Sequence, residues 1–182
     1  MVRDAAYERS NIHREIFWLG SSLDGCPTLV VRTQAHDGAD YDEDPRKFMA
    51  VLTHILETGR RQYGVGLSRQ MCVILDRGPV EWVSGRRKSE MDMSVLPNLL
   101  NLFRHVYSTV MSHYPELLFQ AKVVPTSWFF SMCYKITSVV MDSTSRSKFV
   151  MVRPEDVRRE MSKLFPSEVL PTHLGGTARS YG

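Results

Sequence analysis

An α/β fold, with one mostly parallel sheet and flanking helices, is what this sequence predicts, on three observations. Short apolar runs rich in β-branched residues recur, as in Thr28-Leu-Val-Val-Arg-Thr33, Gln70-Met-Cys-Val-Ile-Leu-Asp76 and Lys148-Phe-Val-Met-Val152. Between them lie longer segments whose apolar residues return every three or four positions. The two kinds of segment alternate, and runs apolar on both faces belong to parallel sheets whose crossovers are helices. At 182 residues, 43% hydrophobic and 24% charged, the chain suits one folded domain with a substantial core.

Taken in order, residues 1–25 read as a short leader with one helical segment near 7–19, closed by the turn-rich Gly20-Ser-Ser-Leu-Asp-Gly25. The domain is expected over 26–177, with 178–182 as a tail. A strand over 28–33 precedes an acidic loop. Asp44-Pro45 then opens a helix, an N-cap acceptor followed by a proline whose missing N–H costs nothing at that position. Phe48, Val51, Leu52, Ile55, Leu56, Gly59 and Tyr63 share one face of it, and Gly64 stops it. A strand over 70–76 ends at Arg77-Gly78-Pro79. A polar loop over 84–92 leads to a strongly periodic helix over 94–114, ended by Pro115. A strand at 119–124, a helix at 127–141 and a strand at 148–152 come next. A last helix is opened by Pro154, with Glu155 and Asp156 suiting its dipole. Leu170-Pro171 to Gly175-Gly176 reads as leaving the fold.

Composition excludes several functions. The net charge of +3 is small, and the pairs Arg60-Arg61, Arg86-Arg87 and Arg158-Arg159 are dispersed, so no nucleic-acid stripe forms. Three well-separated cysteines fit a reducing, cytoplasmic setting better than a disulfide framework. The six histidines are scattered, so no metal site is expected. The N-terminus lacks the apolar core of a secretory signal. The most apolar stretch, 128–141, falls short of the ~20 residues that span a bilayer, so membrane contact should be peripheral.

Catalytic patterns are equally sparse. Cys26 and Arg32 have the spacing of a cysteine-phosphatase loop, but Pro-Thr-Leu-Val-Val between them is extended, and a strand cannot curl its N–H groups around a phosphate. No nucleotide-binding glycine loop or serine elbow occurs. The acidic cluster Asp37, Asp40, Asp42, Glu43 and Asp44 lacks calcium-loop spacing. No cofactor and no catalytic residue are assigned, and the chain reads as a non-enzyme.

Four features are more specific in combination. His113-Tyr114-Pro115-Glu116 closes the long helix and feeds a strand; Trp128-Phe129-Phe130 opens the next helix; Lys148 leads into a strand; Leu170-Pro171 and Gly175-Gly176 come last. This order, over about 26–177, resembles the CRAL-TRIO lipid-binding family. The resemblance implies an apolar pocket under a gate helix, with Trp128, Phe129, Phe130, Met132, Ile136, Val139, Val140 and Met141 along it. It also implies a headgroup site at Glu116 and the lysine 32 positions on, Lys148, as in the phosphatidylinositol-binding members. Two features depart from the family. Pro125-Thr126-Ser127 replaces its usual Asn-x-Pro and is similar to the divergent branch found in scaffolds that bind small GTPases and their regulators. The helical lobe that usually precedes the domain has only about 25 residues here. The expected function is therefore binding, and transfer or sensing, of a phospholipid, with a phosphoinositide foremost and a transient membrane surface as partner. The alternative is a protein-interaction scaffold.

Overall fold

The computed structural model describes residues 16–32, 45–66, 68–78, 82–83, 86–87, 108–110, 113–114, 116–126 and 128–181. Strands β1 (Ile16–Ser21), β2 (Pro27–Arg32) and β3 (Met71–Asp76) enclose helix α1 (Pro45–Tyr63) in sequence. After the two-residue pair β4 (Trp82–Val83) and β5 (Arg86–Arg87) come β6 (Leu118–Val124), α2 (Trp128–Thr137) and a 3-10 turn (Ser138–Val140). Helix α3 (Ser143–Ser147), β7 (Phe149–Met151) and α4 (Val157–Ser162) follow, with 3-10 turns at Pro154–Asp156 and Thr172–Leu174. The main sheet runs β1-β2-β3-β6-β7. Within this sheet β1 is antiparallel to β2, whereas β2–β3, β3–β6 and β6–β7 are parallel. The mixed α/β sheet is as expected from the alternating pattern.

Three local expectations change. Residues 16–19 are not helical: they belong to β1, so the sheet begins inside the stretch read as a leader. Ile-Phe-Trp-Leu is too short a run for its periodicity to separate helix from strand. What decides it is the turn that follows, where Ser22 N–H donates to Cys26 (2.8 Å) and Gly25 N–H to Ser22 (2.8 Å). Gly20 and Gly25 take positive φ values of 111° and 76°, which a hairpin with a bulge needs and L side chains resist. Second, α3 had no counterpart in the sequence reading; Asp142 caps it by accepting from Ser145 N–H at 2.8 Å. Third, the C-terminal segment stays in the fold. Leu170 and Leu174 are 1% and 0% exposed, and Ala178 N–H returns to the Leu170 carbonyl at 3.1 Å. Gly175 and Gly176 permit that return: a Cβ on Gly175 would stand 2.8 Å from Arg158 Cα, and one on Gly176 would overlap the Leu170 carbonyl. The expected helix over 94–114 lies mostly outside the described residues; 108–110 of it are helical.

Two cores flank the sheet. On one side α1 buries Val51, Leu52, Ile55 and Leu56 against Ile16, Leu29, Met71 and Leu117. Gly59 leaves room for the Trp18 indole, whose Nε1 donates to the Ile55 carbonyl at 2.9 Å. On the other side Val30, Ile74, Val124 and Val152 meet Val157, Met161, Leu164 and Phe165 from α4 and its sequel. Lys122 is 8% exposed on this face, held by Glu160 at 3.1 Å. Glu160 also binds Lys163, and these two lysines hold its carboxyl down at about 2 against a small opposing effect of burial.

Candidate functional site

Strand alternation sends odd and even residues of β3 to opposite faces. Toward α4, Cys72, Ile74 and Asp76 are 6%, 0% and 1% exposed. Toward α1, Val73 and Leu75 are only half-buried. Yet β3 is the middle strand of five, where side chains are normally the best covered. The register puts Val31, Ala121, Val123, Phe149 and Met151 on the same face as Val73 and Leu75. Val31, Phe149 and Met151 are also half-buried. α1 covers the β1–β2 end of this floor, and α2 reaches its far end, where the Tyr134 ring lies 5.6 Å from that of Phe149. Tyr134 donates its hydroxyl to the Arg146 carbonyl at 3.1 Å, which ties α2 to α3. The result is an apolar floor between α1 and α2 that is half-buried at Val31, Val73, Leu75, Phe149 and Met151 and fully covered at Ala121 and Val123, which are 2% and 1% exposed.

α2 therefore lies on the floor side of the sheet, where the gate helix was expected. Met132 is half-buried and Met141 is 3% exposed, whereas Ile136 and Val139 are 56% and 75% exposed. The side chains of Trp128, Phe129, Phe130 and Val140 lie outside the described residues.

Glu116 and Lys148 both sit where parallel strands begin, Glu116 ahead of β6 and Lys148 immediately ahead of β7. Glu116 has a left-handed φ of 59°, a strained value for a non-glycine residue, and its carbonyl accepts from Gln70 Nε2 at 2.9 Å. The preceding Tyr114 is anchored by donating its hydroxyl to Glu57 of α1 at 2.8 Å. Lys148 ends α3, and its carbonyl accepts from Ala121 N–H at 2.9 Å. The register places Lys148 beside Gln120, four residues along from Glu116, up to ~13 Å if that stretch were fully extended. The two side chains share one end of the sheet without forming an ion pair with each other.

A polar cluster at the opposite end of the sheet was not anticipated. Asp76, at the end of β3, accepts from Gly78 N–H (2.7 Å) and the Tyr181 hydroxyl (2.9 Å) and contacts His173 Nε2 at 3.0 and 3.1 Å. Burial alone would raise its carboxyl, but the hydrogen bond and charge of His173, with Gly78 and Tyr181, lower it on balance. Burial and the Asp76 charge push the Tyr181 phenol upward. Next to it Arg77, 7% exposed, donates to the Pro125 carbonyl at 3.4 Å, beyond the cis Val124–Pro125 bond. The cluster fastens the C-terminal segment to the middle strand. In sequence its only trace was an aspartate ending an apolar run, since its partners lie 97 and 105 positions away.

Among the described residues no group of three or more His, Cys, Asp or Glu could hold a metal ion, and no helix is long and apolar enough to cross a membrane. The 27–32 segment is a strand, not a phosphate-binding loop.

The model of the CRAL/TRIO domain matches residues 13–176. The chain belongs to the CRAL/TRIO domain family. Members of this family bind lipophilic ligands and are in general carriers rather than enzymes. Patellin-6 of Arabidopsis thaliana is 28% identical over 74 residues, 41% of this chain and 18% of that protein. Protein real-time of Drosophila pseudoobscura pseudoobscura is 24% identical over 169 residues, 90% of this chain and 24% of that protein. The chain thus spans less than a quarter of the length of these relatives. The crystal structure of Sfh5 superposes with a TM-score of 0.68 at 17% identity, covering 97% of this chain and 57% of that one, a likeness of fold. The family match begins ahead of β1, in agreement with a sheet that starts before residue 26.

Proposed function

We propose that this CRAL/TRIO domain binds a phospholipid non-covalently, acyl chains on the apolar floor and headgroup at the end of the sheet that carries Glu116 and Lys148. The observation that supports it most is the half-buried state of Val73 and Leu75 on a middle strand. Apolar surface left in water costs about 25 cal/mol per Å², and a lipid chain returns roughly 0.8 kcal/mol per buried CH₂. The preferred headgroup is a phosphoinositide. Lys148 supplies the cation, Glu116 accepts from inositol hydroxyls, and their staggered positions suit a ring that spans between them better than a single direct pair. Ile136 and Val139, exposed on α2 and its 3-10 extension, are the apolar contacts through which the gate meets a membrane. The protein works in the cytoplasm, visiting membrane surfaces to exchange or sense lipid.

The same exposed pair, with Pro125-Thr126 ahead of α2, supports a second reading: a scaffold that presents α2 to a small GTPase or its regulator. Co-sedimentation with vesicles of defined composition separates the two. Lipid binding predicts that phosphatidylinositol phosphate vesicles retain the protein and that Lys148→Ala weakens this by ~1.5–3 kcal/mol, the range for a charge-assisted hydrogen bond. Phosphatidylcholine retention should fall much less. Equal loss for both lipids assigns Lys148 to folding, and no retention by either lipid favours the scaffold.

A further inference from the structure

We propose that Cys26 and Cys72 are a modification site, joined by a reversible intramolecular disulfide when the protein meets hydrogen peroxide. They lie 46 positions apart, yet the structure sets their free Sγ atoms 3.0 Å from each other. A disulfide needs about 2.05 Å, so the sulfurs must close by ~1 Å. Cys26 lies just ahead of β2, at the end of the ladder, where its side chain is half-buried and free of strand pairing. Its backbone is already fixed, with N–H donating to Ser22 Oγ at 3.2 Å and the carbonyl accepting from Ser22 N–H at 2.8 Å. Cys72 is 6% exposed in the neighbouring strand.

Their surroundings divide the chemistry. Burial, then the hydrogen bond and charge of Cys26, push the Cys72 thiol up to about 12, so Cys72 stays protonated and is a poor first nucleophile. Cys26 is the accessible sulfur. Its thiolate attacks one peroxide oxygen, the O–O bond breaks, and hydroxide leaves, giving a sulfenic acid. Cys72 sulfur then attacks the Cys26 sulfur. The S–OH bond breaks, the departing hydroxide takes the Cys72 proton, and water leaves as the S–S bond forms. Overall two thiols and one peroxide become one disulfide and two waters. The pair faces the α4 side of the sheet, away from the apolar floor, so this inference is independent of lipid binding. The closed loop contains α1, and cross-linking it should stabilise the fold chiefly by restricting the unfolded chain.

The test uses the full chain, reduced, freed of reductant, exposed to hydrogen peroxide, alkylated and mapped by mass spectrometry. The expected result is one cross-linked species joining Cys26 to Cys72, with Cys133 still alkylatable and all three thiols restored by dithiothreitol. The oxidised chain should show a higher urea midpoint that dithiothreitol returns to the reduced value. In Cys72→Ser, dimedone should trap a sulfenic acid at Cys26. The proposal is overturned if Cys72 in the native chain remains fully alkylatable after peroxide, or if Cys26 pairs instead with Cys133 or with a second molecule.

Discussion

Replacing Asp76 by alanine should cost about 3–5 kcal/mol, the penalty for removing one partner from a buried charged cluster. The carboxylate is 1% exposed and supports Gly78 N–H, the Tyr181 hydroxyl and His173. Hydrogen bonds to a charged group are each worth roughly 1.5–3 kcal/mol, but these share one acceptor and cannot be summed. His173 is 20% exposed and recovers part of its loss from water. Against a total stability of order 5–15 kcal/mol, the loss is severe. Asp76→Asn keeps the shape and an acceptor while losing the charge, so it should cost less, about 1–2 kcal/mol. Urea unfolding at neutral pH gives the magnitudes. Limited proteolysis gives the location, because the alanine variant should release residues after Leu170 before the sheet unfolds. An alanine variant within ~0.5 kcal/mol of the parent, the range of an ordinary surface substitution, or an asparagine variant less stable than alanine, would refute the cluster as a fastening.

Three further outcomes follow from the geometry. The Asp76 and Glu160 carboxyls are held below their ordinary values, so the stability they contribute is complete above pH ~4.5 and disappears as pH falls toward about 2 for Glu160; acid titration by circular dichroism should show this loss, smaller in Glu160→Gln. At neutral pH the Lys122–Glu160 pair should respond asymmetrically: Glu160→Gln strands a buried ammonium and costs about 2–4 kcal/mol, whereas Lys122→Met leaves Glu160 with Lys163 and costs less than about 1.5 kcal/mol, as read by urea midpoints. Gly59→Ala places a methyl group in the Trp18 ring and should cost ~1–3 kcal/mol as overpacking, with a change in tryptophan fluorescence; unchanged emission would mean the ring does not rest on α1.

Much of the fold was legible because its signals are local. α1 begins at Pro45 and ends at Tyr63 before Gly64, at the proline and the glycine that punctuate its periodic stretch. β2, β3 and β7 fall on the apolar runs at 28–33, 70–76 and 148–152. β1 escapes its own pattern because the hairpin turn that follows and the pairing with β2, not its short apolar run, decide its conformation. α3 was missed because five polar residues, Ser-Thr-Ser-Arg-Ser, carry no apolar period; only the Asp142 cap announces it. The site was less legible. The motif residues Glu116 and Lys148 could be named from their order in the chain. The floor could not, since Val73 and Leu75 are as apolar as Ile74 and differ from it only in being half-buried on the other face of the strand. The Asp76 cluster and the Cys26–Cys72 pair join residues far apart in sequence, and only the parallel register and the returning C-terminal segment bring them together.

Whether the apolar floor holds a lipid is read by native mass spectrometry of the purified full chain, alongside Leu75→Trp, which fills the floor from the middle strand. A lipid on the floor gives a co-purifying mass in the phospholipid range, displaced by added phosphoinositide and absent from a Leu75→Trp variant that keeps its circular dichroism spectrum. A chain that emerges only at its own mass and gains none after incubation with phospholipid vesicles would contradict it.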